Sequence, residues 1–268
     1  SLTRSENVVL FMKPSHALTA RWRIACFLAA AALINYADRS AMSSVFPSLR
    51  HELGLTDVQL GLISSLFLWS YAIGSPLAGV LADRFSRSRL ILFSLTFWSL
   101  VTGAIGFSSN LTHLALLRVM LGFAECLYLP AAIALLADHH QSTTRGKAMS
   151  LHSIGLNIGV ITGGAFAGYS AEHYGWRSGF YVLGTAGILL AILGKVALQD
   201  GPTRPTNAKS SITDAFRYLV RTPSYYVMLS KSALSGVTIW IFLSWLPLYF
   251  KERFGFGLGQ AGFAGTFM

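Results

Sequence analysis

The chain has 268 residues, 53% hydrophobic and 12% charged, with a mean hydropathy of +0.53. A soluble domain carries about 25% charged residues, so a water-soluble globule, a disordered chain, a collagen and a coiled coil are excluded and an integral membrane protein is the matching class. The net charge of +10 invites a nucleic-acid reading, but its distribution along the chain argues against one.

A helix needs about 20 mostly apolar residues to cross a bilayer core. Seven segments meet this: roughly 22–47, 58–82, 90–108, 112–137, 147–170, 178–198 and 225–250. An eighth begins near Leu258. The chain starts at Ser1 and stops at Met268 inside an apolar run, so it reads as a fragment, with Met12 a candidate initiator of a longer chain. Arg21 and Arg23 precede an apolar run of signal-peptide length, Ile24–Ala37, but the run continues past Asp38 and six further spans follow. It is therefore read as a span rather than a cleaved signal. Cys26 and Cys126 lie within apolar runs with no CxxC spacing or His partner, and are read as free.

The positive charges set the orientation. With the N-terminus in the cytoplasm, Arg4, Lys13, Arg21 and Arg23 share that side with Arg84, Arg87 and Arg89, with Arg145 and Lys147, and with Lys195, Arg204, Lys209, Arg217 and Arg221. The other side holds only Arg50, Arg177, Lys251 and Arg253, while Arg39, Arg118 and Lys231 fall within spans. This asymmetry follows the positive-inside rule and explains the basic pI without nucleic acid. The stretch from Gln199 to Ser224 contains Pro202, Pro205 and Pro223 and reads as a linker. Within it, Ile212, Ala215, Phe216 and Leu219 mark a short amphipathic surface helix. Six spans, a basic linker and further spans is the layout of a two-bundle transporter built from 3+3 inverted repeats. The expected organisation is a cytoplasmic segment (1–20), a six-helix bundle (21–198), a linker (199–224) and the start of a second bundle (225–268).

Two motifs carry a family resemblance. Between spans 2 and 3 stands Gly79-Val-Leu-Ala-Asp83-Arg84-Phe-Ser-Arg87-Ser-Arg89. On span 4 stands Arg118-x3-Gly122-x2-Glu125-x4-Pro130. Together with Ile34-Asn-Tyr-Ala-Asp38-Arg39, His173-Tyr-Gly-Trp-Arg177 and Trp245-Leu-Pro-Leu-Tyr-Phe, they resemble the major facilitator superfamily. The closer likeness is to its anion:cation symporters and bacterial Spinster-like carriers. The loop has Ser86 where the family usually has Gly, and Ser88 where it has a base. The resemblance implies an all-α membrane protein of major facilitator fold. In the loop, Gly79 is expected to permit close helix contact, Asp83 to cap a neighbouring helix N-terminus, and Arg84, Arg87 and Arg89 to pin the cytoplasmic face of this gate. Gly155, Gly159, Gly163, Gly164 and Gly168 make span 5 a flat packing face. Span 5 lacks the Gly-Pro pair of the superfamily's antiporters, which tilts the reading to symport or uniport.

Ionisable groups inside spans are costly and usually face a water-filled path. Here they are Asp38, Arg39, Arg118, Glu125 and Lys231, on spans 1, 4 and 7. Arg118 and Glu125 are seven residues apart and share a helix face. In the family fold these three spans line the central cavity. The resemblance implies Asp38 and Glu125 as proton-coupling groups, and Arg39 or Arg118 as anchors for an anionic substrate. Asn35, Tyr36, Tyr128 and Asn157 are candidates for polar substrate contacts, though each type also serves packing or interhelical bonding, and Lys231 could equally snorkel to the membrane edge. His152 reads as an interhelical hydrogen-bonding residue, and His139-His140 as a solvated loop pair rather than a metal site.

No P-loop, HExxH, GxSxG or kinase signature occurs, so ATP-driven transport and common hydrolysis lack support and no enzyme activity is expected. The reading is a secondary transporter, taking up a small organic anion with protons by alternating access. Its expected partners are that substrate, protons and the lipid bilayer, with no cofactor, metal or nucleic acid. It is expected to be a monomer at full length, in a bacterial inner membrane. A Spinster-like lipid carrier and a membrane sensor on a transporter fold are the alternatives.

Overall fold

The computed structural model describes residues 14–200 and 217–266, and every structural statement below concerns those residues. Ile212, Ala215 and Phe216 of the expected amphipathic helix lie outside them. The chain is helical: α1 Pro14–Ser44, α2 Phe46–Leu53, α3 Asp57–Arg84, α4 Arg87–Ile105, α5 Leu111–Glu125, α6 Tyr128–His139, α7 Ser142–His173, α8 Trp176–Ala197, α9 Pro223–Phe254 and α10 Leu258–Thr266. Five stretches are long and apolar enough to cross a membrane on those grounds alone: α3, α4, α5 with α6, α8 and α9. The helices α1 and α7 are as long, at 31 and 32 residues, but more polar. They pack on each other, and α1 is buried along most of its length.

The expected first span divides at Val45. Pro47 stands in the first turn of α2, where its missing N–H leaves no bond unmade. Gly54 ends α2 with φ 62°, a left-handed position that suits glycine. Thr56 and Gln59 then open α3 with a reciprocal capping box. Span 4, expected as one helix, breaks at Cys126–Leu127 into α5 and α6. Pro130 is the local reason: it lacks the N–H that would reach back to the Cys126 carbonyl, and its ring crowds that position. The break falls directly after Glu125.

The glycine face of span 5 is two faces. A Cβ on Gly155, Gly159 or Gly163 would strike the backbone of Ala29, Leu33 or Ala37 on α1. One on Gly164 or Gly168 would strike Gly262 or Leu258 on α10. Replacing Gly159 with Val is therefore expected to force α1 and α7 apart, at about 1–3 kcal/mol. Thermal unfolding in detergent should show the lower midpoint. Gly79→Ala is the control, because a Cβ there meets nothing within 4 Å. Its midpoint should be unchanged or higher, as alanine is the better helix former. The close contact expected of Gly79 is accordingly not made among these residues; on α3 it is Gly74 that sits against Cys126 and Phe123.

Candidate functional site

Successive residues on a helix point about 100° apart, so Asp38 and Arg39 leave α1 in different directions. Arg39 turns to α5, where its Nε donates to Glu125 Oε2 at 2.8 Å; the two side chains are 7% and 0% exposed. Its guanidinium is stacked among three rings: Tyr36 and Tyr71 at 4.7 Å and Phe67 at 5.1 Å from the centroids. Such contacts hold a buried cation without neutralising it. Arg118 lies over Phe67 as well, at 4.6 Å. It is buried, and its Nε and Nη1 have no hydrogen-bond partner. Arg118 and Glu125 share a face as expected, but Glu125 is paired with Arg39. Seven residues of helix separate the two along the axis by about 10 Å, too far for a direct bond without bending.

Asp38 turns to α4, where Thr102 Oγ1 donates to its Oδ2 at 2.9 Å. Asp38 Oδ1, Glu125 Oε1 and Asn35 Nδ2 are buried without a partner. Four charged side chains and several unused polar atoms therefore occupy one apolar region.

Beside this cluster, a cavity of about 650 Å³ opens between α1, α7, α9 and the tip of α10, its wall including Tyr36, Asn157, Thr238, Trp240 and Thr266. A pocket of about 10 Å³, room for a single water, adjoins it and is lined by Tyr36, Arg39, Ser40, Ser43, Val160, Trp240 and Leu243. Arg39 is the charged residue on these walls. Tyr36 and Asn157 line the cavity as candidates, the latter with its Nδ2 donating to Ser153 O at 2.7 Å. Tyr128 does not: it is buried, and its hydroxyl donates to Leu28 O at 2.7 Å and meets His152 Nε2 at 3.1 Å. This is the interhelical role expected of His152. Lys231 is exposed on α9 and makes no ion pair among these residues. Trp240 and Thr238 were not singled out from the sequence, because an aromatic and a threonine in an apolar span carry no pattern of their own.

At the end of the bundle that carries the loop motif, Arg87 pairs with Asp138 of α6 and reaches Ala134 O. Arg84 and Arg89 are exposed. Asp83 is exposed and caps no helix among these residues. The carboxylate at a helix N-terminus here belongs to Asp200, which accepts from Ser88 N at 2.9 Å and from Ser86 Oγ at the start of α4. Partial burial pushes the Asp200 carboxyl up, but the Ser86 and Ser88 bonds and nearby Arg89 outweigh it and hold it below the ordinary aspartate range. A lowered folded value stabilises at pH above the unfolded value of about 3.9, and the gain is lost as pH falls through the folded value. Asp200→Asn should thus lower the unfolding midpoint at pH 7, with the gap to the parent closing below about pH 4. A gap independent of pH would contradict the assignment. His140, also at this end, has its ring engaged by Arg21 O and Thr144 Oγ1.

At the opposite end, Glu52 accepts from Trp176 Nε1 at 2.7 Å and from Arg177. The Arg177 guanidinium holds the Glu52 carboxyl below its usual range. Arg50 bridges Asp57 at the start of α3 and Glu252 near the end of α9.

The family model described as Major Facilitator Superfamily matches residues 28–268. The chain belongs to the major facilitator superfamily. Among curated superfamily proteins, it is 30% identical to "Probable galactarate/D-glucarate transporter GudP" of Bacillus subtilis (strain 168), over 92% of this chain and 61% of that one. It is 27% identical to the "Probable L-galactonate transporter" of Escherichia coli (strain K12), over 87% of this chain and 54% of that one. In fold it matches the crystal structure of a bacterial homologue of the human lysosomal transporter Spinster, in its inward-facing and unoccupied conformation. That match has a TM-score of 0.78 at 22% identity, over 92% of this chain and 59% of the other. The chain thus spans a little over half the length of the proteins it matches. The all-α major facilitator fold and the multi-pass character read from the sequence hold, and the relatives and fold are those of transporters rather than enzymes.

Proposed function

We propose that the full-length protein is a secondary carrier that takes up a small organic anion, of the sugar-acid class, together with protons by alternating access. The observation that carries this reading is Arg39, a cation ion-paired to Glu125 and set in the wall of a one-water pocket that shares Tyr36, Val160, Trp240 and Leu243 with the larger cavity between spans 1, 5 and 7. An anionic substrate competes with Glu125 for the guanidinium, and a proton taken up by Glu125 frees that guanidinium for the substrate. Substrate and proton then enter together because each removes the reason for excluding the other. Asp38 is the second proton-coupling group, Arg118 keeps the surrounding potential positive, and Tyr36 and Asn157 supply polar contacts, while Asn35 is buried and lines neither cavity. The two curated relatives, named for sugar-acid transport, support the substrate class.

In the same reading, α1 to α8 form a six-helix bundle, the linker follows, and α9 and α10 begin the second bundle. The N-terminus faces the cytoplasm of a bacterial inner membrane, and the carrier works as a monomer. The loop of Arg84, Arg87 and Arg89 then lies inside, as the positive-inside rule requires. The test is uptake of radiolabelled galactarate by the full-length protein in liposomes under an imposed pH gradient, inside alkaline. Saturable accumulation, collapsed by a protonophore, is expected. Uptake that only equilibrates would overturn coupling. In intact cells, a cysteine at Asn110 should label from outside; labelling only after the cytoplasm is opened would reverse the topology.

A further inference from the structure

We propose that Thr102, on a helix that contributes nothing to the cavity walls, holds the Asp38 carboxylate for proton uptake and release, so that the proton carried on Asp38 is stored behind the transport path rather than in it. This rests on the proton-coupled reading above, and adds to it a residue and a location. Asp38 and Thr102 are 2% and 0% exposed, and their side chains meet at 2.9 Å. Asp38 is not among the residues lining either cavity, although its neighbour Arg39 is. The charged groups that act on Asp38 are Glu125 and Arg118 from α5 and Arg39 from its own helix. Neither arginine forms an ion pair with it among the described residues, and its second oxygen has no partner.

Among the described residues, a neutral hydroxyl is therefore the one group bonded to this carboxylate. An unpaired buried charge is expensive, and proton uptake removes it. A threonine hydroxyl suits both states. It donates to the carboxylate, and it can rotate to accept from a carboxylic O–H while turning its own proton to a helix carbonyl. The proton comes from solvent on one side and returns to solvent on the other, and no other bond is made or broken. A lysine or arginine in place of Thr102 would fix the charge instead of letting it change.

The test uses full-length protein in liposomes, with Thr102→Val, which keeps the shape but removes the hydroxyl, and Thr102→Ser, which keeps the hydroxyl. Thr102→Val should lose at least about tenfold in pH-driven galactarate accumulation, while galactarate exchange without a gradient stays within about twofold of the parent, the pattern of a lost coupling rather than a lost site. Thr102→Ser should restore accumulation. Independently of any substrate, infrared difference spectra between acid and alkaline samples should show a carboxylic C=O band that vanishes in Asp38→Asn, is displaced in Thr102→Val and is in place in Thr102→Ser. Accumulation and band both unchanged in Thr102→Val would overturn the inference. Accumulation and exchange falling together with the band unmoved would also overturn it, leaving a packing role. A parent that fails to accumulate galactarate would count against the carrier reading instead, and the band alone would then decide whether Thr102 governs Asp38.

Discussion

On the proposed function, glutamine in place of Glu125 in the full-length protein should abolish accumulation driven by a pH gradient while leaving exchange of substrate across the membrane intact. Glutamine has the shape of the protonated acid and keeps an oxygen to accept from Arg39, so the 2.8 Å contact can persist without its charge. What is lost is the competition. With Glu125 neutral, Arg39 would be permanently available to an anion, and binding should be equal to or tighter than in the parent. A purely structural ion pair predicts otherwise, since breaking a buried pair from one side costs about 3–5 kcal/mol and would lower the amount of folded protein. Accumulation normalised to folded protein separates the two. If both Glu125→Gln and Asp38→Asn accumulate substrate like the parent, the proton role of these residues is wrong.

Replacing Arg39 with Ala is expected to have the second large effect, on binding. It removes the charged residue of the one-water pocket beside the cavity and leaves Glu125 buried without its ion-pair partner. Loss of a buried charge partner costs about 2–5 kcal/mol, so affinity for an anionic substrate should fall by at least about 30-fold. Arg39→Lys should not rescue it. The guanidinium is a flat group held among Tyr36, Phe67 and Tyr71 and bonded through Nε, and an ammonium reproduces neither the stacking nor that donor. The double variant Arg39→Ala with Glu125→Gln removes the unpaired charge and should recover folded protein without recovering binding. Equilibrium binding and a melting curve on the same samples check both statements. Recovery of binding in the double variant would mean that Arg39 serves only to neutralise Glu125.

The spans were legible because a run of about 20 apolar residues has few alternatives to crossing a bilayer. The charges on spans 1 and 4 were legible for the related reason that an ionisable group persists there only with a partner. Which partner was not legible. Spacing along one helix shows which residues share a face, and Arg118 and Glu125 do share one, but pairing is settled by what the neighbouring helix presents. Here α1 presents Arg39. Likewise Asp38, adjacent to Arg39 in sequence, reaches Thr102 on α4, a residue with no signature of its own. The break after Cys126 was readable in principle from Pro130. Asp200, which lies outside the loop motif, caps the start of α4, and a lone aspartate near a linker gives no sign of that.

The glycine contacts between α1 and α7 also bear on how such a carrier could move. Backbones that touch at Gly155, Gly159 and Gly163 have no side chains between them to slide or repack. The two helices are in effect one beam, carrying Tyr36, Arg39 and Asn157 at fixed separations. Any opening of the cavity must then come from its other wall, with α9 swinging Thr238 and Trp240 towards or away from that beam. The hinge for such a swing would lie at the end of the bundle opposite the loop motif, where Gly164 and Gly168 meet α10 and Arg50 reaches Glu252. On this geometry the wall that carries Arg39 is the stator, and under the proposed function selectivity for the rest of the substrate would be decided by the wall that travels.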